Sequence, residues 1–337
     1  MYYYSIPDGA RFKWWIEAAI HRKKINSQIF YDYHNDMWRS IRQELIPDRP
    51  LSELYLEQAR RIRDSNQWIS LLYSGGADSH NILMTFLNNN IHLDEIITCD
   101  STLGRPITHS TNSLNLHSEI ELTAKPILKR VQHDYPQINI RIIESSKNSI
   151  VDHITGDLTN RISKHRLLQI FSAYEHDVQV QSKGTLIVGQ DKPYVLKQGD
   201  QFYFSFSNII GHFADRKFVP FYWDYTFPEL HINQCRVIAR AGLCANGATS
   251  KESEIDGRDK TIELLYSDTW HHGFQVNKIK DYVFDNPYVD LYNYVEKGLW
   301  QKIQDVRSDL IKTSNLSNSD IYPCRTEHFP LYLSPQP

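Results

Sequence analysis

A chain of 337 residues, 41% hydrophobic and 23% charged, has the make-up of an ordinary globular protein and length for about two domains. Its 37 Lys and Arg against 40 Asp and Glu exclude an overall basic surface as the basis of function, while a local groove for nucleic acid stays open. No apolar run approaches the ~18 residues of a membrane span and the Met1-Tyr2-Tyr3-Tyr4 start lacks the shape of a signal peptide, so a cytoplasmic protein without a membrane partner is expected. Cys99, Cys235, Cys244 and Cys324 lie far apart without a Cys-x-x-Cys pair, which suits reduced thiols rather than a zinc or disulfide framework. The abundant tyrosines and tryptophans are read as packing residues.

Residues 1–66 are expected to be mostly helical, with helices over Arg11–His21 and Leu51–Arg63 separated by the Pro47-Asp48-Arg49-Pro50 break. Tyr55, Ala59 and Ile62 share one face of the second helix. Trp68–Tyr73 reads as a buried strand running into Ser74-Gly75-Gly76-Ala77-Asp78-Ser79, and a helix follows over about Ser79–Leu87, ended by Asn88-Asn89-Asn90. Leu93–Asp100 reads as a second buried strand. In a helix over about His117–His133, Ile120, Ala124, Ile127 and Val131 fall on one face, and Pro126 is expected to kink or divide it. Ile138, Ile140 and Ile142 alternate as a third strand, Leu167, Phe171 and Tyr174 mark another amphipathic helix, and Gly184–Gly189 is a fourth short strand. Strand and helix alternate over residues 67–217, so the expected fold is α/β, a parallel sheet with helices on both faces. Residues 218–337 are expected to be mostly helical and aromatic-rich. Phe221–Leu230 there leads into a helix, a long helix covers about Asp290–Thr313, and the turn-rich Ser314–Asp320 follows.

The junction of first strand and helix has the chemistry of a phosphate site. The first N–H groups of a helix lack internal partners and its dipole favours an anion there. Gly75 and Gly76 let the backbone approach a ligand, Ser74 and Ser79 supply hydroxyls, and Asp78 can hold a metal or orient the loop. The Gly-Lys-Ser/Thr ending of a Walker A loop is absent. Ser74-Gly75-Gly76-Ala77-Asp78-Ser79 resembles the PP-loop of the N-type ATP pyrophosphatases, a superfamily with the synthetase domains of asparagine, GMP and NAD synthetases and relatives that thiolate tRNA. The likeness is greatest to the synthetase domain of asparagine synthetase-like proteins. It implies an adenine nucleotide alpha hydrolase-like fold with ATP and Mg²⁺ as ligands, and it covers about residues 67–230, with the loop its specific part.

Ligands of open α/β sheets bind outside the carboxyl ends of the strands. That rule selects the Ser74–Ser79 loop, the end of the second strand with Asp100 and Ser101, and the segment Gly189-Gln190-Asp191-Lys192-Pro193-Tyr194. The resemblance places Asp100 and Ser101 beside the adenosine. Its Gly-x-Gly-x-Asp-Glu stretch, whose acids help hold magnesium and pyrophosphate, survives here as a Gly-x-Asp core around Gly189 and Asp191, with Lys192 where an acid is expected. Asp191 would then bind Mg²⁺ beside Asp78, and Lys192 would stabilise charge on leaving pyrophosphate. The family also sets a downstream lysine against pyrophosphate, for which Lys217, Lys251 and Lys260 are equivalent candidates. His80 either faces the phosphates or simply opens the helix, and His271-His272 lacks a second pair at metal-binding spacing.

The expected activity is that of an ATP pyrophosphatase-type ligase, with Asp78 and Lys192 as its catalytic residues. A small-molecule or nucleotide acceptor is adenylated with loss of pyrophosphate, then attacked by a nitrogen nucleophile. Position 2 is Tyr2 rather than the nucleophilic cysteine of a glutaminase domain, and the stretch ahead of Ser74 is too short for one. The expected nitrogen source is therefore free ammonia, an amine, or a partner that delivers ammonia. A sulfur-transfer or sulfonucleotide enzyme of the same superfamily, or a non-catalytic ATP-binding regulatory protein, are the alternatives.

Overall fold

A computed structural model describes residues 4–12, 15–100, 123–144, 184–189, 193–206, 218–244, 260–266, 308–309, 312–313, 324–325 and 327–334. Its centre is a five-stranded, wholly parallel sheet. The strands are β4 (Ile69–Leu72), β5 (Glu95–Asp100), β6 (Asn139–Glu144), β7 (Thr185–Val188) and β10 (Phe218–Pro220), in the order β10-β7-β4-β5-β6. Leu71 pairs with Ile96 on one side and Ile187 on the other. All four residues of β7 are buried, the continuous apolar run of a strand covered on both faces. Side chains alternate across the sheet: Leu71, Ile96 and Ile187 join the main core, whereas Ile97, Leu186 and Val188 form a separate cluster with Leu72 and Ile143.

Helices α3 (Leu51–Ser65), α4 (Ala77–Asn88) and α5 (Lys125–Asp134) pack in the main core. Leu54, Tyr55, Gln58, Ala59 and Ile62 form the buried face of α3, as its periodicity predicts. Of the helix expected over 117–133, residues 117–122 lie outside the described residues, 123–124 form a π-helical turn and α5 begins at Lys125, so the described part divides just before Pro126. Pro126 stands in the first turn of α5, where its fixed φ suits the helix and its missing N–H has no intrahelical acceptor to lose. The helix expected around Leu167–Tyr174 lies outside the described residues.

Two smaller sheets surround this α/β unit. The N-terminal segment carries strands β1 (Tyr4–Ser5), β2 (Arg11–Phe12) and β3 (Ile29–Tyr31) besides its helices α1 (Trp15–Ile25) and α2 (Asn35–Ser40). They join β11 (Cys324–Arg325) in the order β11-β3-β1-β2. Arg11 therefore belongs to a strand rather than a helix: Gly9, at φ +91°, closes a tight turn that folds Arg11–Phe12 back onto Tyr4–Ser5. A second sheet pairs the hairpin β8 (Tyr194–Gln198) and β9 (Gln201–Ser205) with β12 (Phe329–Leu331), all antiparallel. β10 follows position 217 yet is the fifth strand of the central sheet, and β11 and β12 are strands within a region expected to be mostly helical. Of the long helix expected over 290–313, only 308–309 and 312–313 are described, and both pairs are helical.

Helix α6 (Pro228–Arg240), which follows the 221–227 turn as expected, joins these parts. The buried Arg236 guanidinium donates to the carbonyls of Gln43 (2.7 Å), Ile46 (2.8 Å) and Tyr332 (3.0 Å), and to Asp48 at 3.0 Å. One turn earlier, His231 is enclosed by the rings of Trp38, Phe204 and Phe206, and no hydrogen-bond partner reaches either ring nitrogen. Burial lowers its pKa to about 3. Among the described residues, no helix is long and apolar enough to cross a membrane.

Candidate nucleotide site

The strand order singles out one point on the sheet. From β4 the chain passes outward to β5 and β6, then returns to β7 on the other side of β4 and continues to β10. The order reverses between β4 and β7, and a crevice opens at the carboxyl ends of such a pair. Both segments that sequence chemistry singles out begin there: Ser74–Ser79 follows β4, and Gly189 follows β7. They touch. A Cβ on Gly189 would lie 2.9 Å from the Ser79 backbone nitrogen and 3.0 Å from its Cα, so only glycine permits this approach.

The loop turns sharply on its two glycines. Gly75 has φ +81°, which residues with a Cβ rarely adopt, and Gly76 is extended at the cap of α4. The His80 N–H donates to the Gly76 carbonyl at 2.9 Å, the bond that begins the helix. Ser79 Oγ donates to the same carbonyl at 3.1 Å and accepts from the Ser74 N–H at 3.3 Å, while the two serine hydroxyls lie 3.2 Å apart. Ser74 Oγ also accepts from the Gly76 N–H at 3.2 Å. Ser74 is exposed at the mouth of the loop and Ser79 is buried at its base.

Asp78, half-buried in the first turn of α4, is gripped at two points. The Tyr222 hydroxyl donates to its backbone carbonyl at 2.6 Å, and the Tyr266 hydroxyl donates to its carboxylate. Tyr222 follows β10, and Tyr266 is the last described residue of the helical segment 260–266. Burial, and then the negative charge of Asp78, raise both phenol pKa values well above 10, so the two act as neutral donors. Asn81 Nδ2 donates to the Tyr222 oxygen at 3.0 Å. Sequence reasoning assigned these tyrosines to packing, because a single tyrosine in an aromatic-rich stretch carries no spacing signal.

Asp100 ends β5, the strand next to β4, with its backbone opposite Glu144. The Thr98 hydroxyl donates to the Tyr73 carbonyl at 2.7 Å and the Tyr73 N–H donates to Ile97 at 2.8 Å, so the end of β5 is fastened to the root of the loop. Ser74, Gly75, Gly76, Asp78, Ser79 and Gly189 thus lie together at the carboxyl ends of β4 and β7, and the Asp100 backbone lies on the same edge of the sheet. Ser101, Asp191 and Lys192 lie outside the described residues, as do Lys217, Lys251 and His271-His272. Lys260 is exposed at the start of the segment that ends in Tyr266. His80 is buried with its Nδ1 3.2 Å from the Tyr73 hydroxyl, which makes it a packed residue at the base of α4.

Among the described residues no three His, Cys, Asp or Glu side chains cluster as a metal cage. Magnesium that arrives with a nucleotide needs no cage, since one or two carboxylates, phosphate oxygens and water complete its shell. Asp78 and the serine hydroxyls suit that kind of ligand. No protein-family model matches the chain, and no curated protein matches its sequence.

Proposed function

We propose that this crevice binds the polyphosphate of ATP, and that the protein is a PP-loop ATP pyrophosphatase-type ligase with an adenine nucleotide alpha hydrolase-like core. The observation that carries the reading is the meeting of Ser74–Ser79 with Gly189 at the reversal point of the sheet, where the Ser-Gly-Gly-x-Asp-Ser loop leads into the amino terminus of α4. Backbone amides and serine hydroxyls there solvate phosphate oxygens, and the helix dipole favours the negative charge. The adenosine lies toward Asp100 and Ser101 at the end of β5.

Asp78, with Asp191 from the segment after β7, would hold Mg²⁺, which supplies charge neutralisation to the phosphates. Lys192 stabilises the pyrophosphate as it leaves. An oxygen of the acceptor attacks the α-phosphorus, the bond to pyrophosphate breaks, and a nitrogen nucleophile then displaces AMP from the adenylated acceptor. The loop's share of catalysis is to fix the polyphosphate so that attack and departure are in line. Cys99, one residue before Asp100 on β5, supports thiolation as a second reading, which full turnover in Cys99→Ala would overturn.

Equilibrium binding of ATP, ADP and AMP tests the site. A polyphosphate cradle gives ATP the tightest binding and AMP the weakest, and Gly75→Ala, strained at φ +81°, flattens that order. Equal affinity for AMP and ATP in the wild type would contradict the assignment.

A further inference from the structure

We infer that Tyr266 is a positioning residue that sets the Asp78 carboxylate for the metal–nucleotide complex, an inference that rests on the nucleotide site proposed above. A carboxylate in the first turn of a helix has several rotamers, and bridging a cation to phosphate needs one of them. Tyr266 holds the carboxylate and Tyr222 holds the carbonyl of the same residue, so side chain and backbone are fixed together.

The phenols are themselves immobilised. Tyr55, Tyr222 and Tyr266 are each 1% exposed, and their ring centroids lie 5.8 to 6.1 Å apart. The Tyr55 hydroxyl donates to the Leu265 carbonyl at 2.9 Å, pinning the residue before Tyr266, and accepts from Gln234 Nε2 at 3.1 Å. The cluster draws on α3, the segment after β10, helix α6 and the segment 260–266, so distant parts of the chain converge on one acid of the loop.

The donor type matters. A neutral phenol orients the carboxylate and leaves its negative charge for a cation, whereas a lysine or arginine in that place would offset the charge. A carboxylate offers about four lone-pair positions, so a phenol and a metal ion are compatible ligands of one aspartate. The strand-end loop would therefore bind its cation in an orientation set in advance by the segment 260–266.

The test is calorimetric titration of ATP into the full chain over a series of Mg²⁺ concentrations, with Mn²⁺ and its electron paramagnetic resonance spectrum as a second probe. Tyr266→Phe is expected to raise the Mg²⁺ midpoint about tenfold and to leave metal-free ATP binding within about twofold, the effect of removing a hydrogen bond to a charged group. Asn139→Ala, which removes a bond to Glu95 at the far end of the sheet, should lower stability and keep the wild-type midpoint. An unmoved midpoint in Tyr266→Phe, with Asp78→Asn shifted, overturns the positioning role and leaves the nucleotide site standing. An equal shift in Asn139→Ala traces the effect to stability and overturns it too. No ATP binding by the wild type at any Mg²⁺ concentration overturns the site and this inference together. If Tyr266→Phe does not fold, Tyr266→4-fluorophenylalanine keeps the ring and fills the place of the hydroxyl without its proton: a raised midpoint supports the role, and an unmoved one overturns it.

Discussion

The two ends of the central sheet are made of opposite materials. At the amino end, charged side chains join the strands. Glu95, fully buried at the start of β5, accepts from Ser70 Oγ at 2.7 Å and Asn139 Nδ2 at 2.8 Å, and lies 2.7 Å from the Arg141 guanidinium. Asp94 beside it pairs with Arg63 at 2.6 Å and accepts the Ile69 N–H at 2.8 Å. At the carboxyl end the strands run into glycines, hydroxyls and phenols. The difference separates a network of paired charged side chains from a glycine-rich turn that we propose binds phosphate, with the same strands serving both.

The largest expected effect breaks the amino end. Glu95→Leu leaves the Arg141 charge and the Asn139 amide without their buried acceptor and should lower unfolding free energy by about 3 kcal/mol, read by urea denaturation. The folded fraction should still bind ATP with wild-type affinity, since the carboxyl end is untouched. Loss of affinity in step with stability would mean the two ends are not separate.

The reciprocal experiment is Gly189→Ala. Its Cβ meets Ser79 backbone at 2.9 Å, so α4 must shift, at a stability cost of about 1 to 3 kcal/mol. ATP affinity should fall by about tenfold or more, a loss of at least 1.4 kcal/mol in binding. Affinity unchanged by that methyl group would remove Gly189 from the site.

Acid sharpens the contrast between either end and the core. His231 has a folded pKa of about 3 against an unfolded value near 6.5, so the unfolded state takes up its proton first. Its contribution is fully present above pH 6.5 and is lost progressively as pH falls toward 3. The slope cannot exceed about 1.4 kcal/mol per pH unit for one group. Burial works against the Asp94 carboxylate, yet the Arg63 bond and the Ile69 N–H hold its pKa below the usual 3.8, so its contribution is lost only at lower pH. His231→Phe should therefore flatten the stability curve between pH 6.5 and 4, measured by denaturation at each pH; an unchanged curve would contradict the buried neutral imidazole.

Much of this architecture is legible in the sequence where elements are long or apolar. β4, β5 and β7 announce themselves as stretches rich in Ile, Leu and Val, β6 as alternating isoleucines, and Gly75-Gly76 marks the turn between β4 and α4. Strands of two or three residues, such as Tyr4–Ser5, Arg11–Phe12 and Cys324–Arg325, are too short to show alternation, and the last pairs with Ile29–Phe30 far along the chain. Pro126 is expected to kink or divide its helix, and the described residues change from a π-helical turn at 123–124 to α5 just before it. The Ser74–Ser79 loop that we propose binds phosphate lies in consecutive residues and is visible at once. Its supports, Tyr222 and Tyr266, lie 144 and 188 positions from Asp78 and come together only through the fold.

The most direct test of the nucleotide reading follows the α-phosphate. ATP labelled at that phosphorus is incubated with Mg²⁺ and a panel of carboxylate, amide and nucleotide acceptors, each with and without ammonia, using the wild-type chain and Asp78→Asn. The account predicts labelled AMP with an equal amount of pyrophosphate from the wild type with its acceptor, and neither product from Asp78→Asn although that variant remains folded. Labelled ADP with inorganic phosphate instead, or as much AMP from Asp78→Asn as from the wild type, would contradict it.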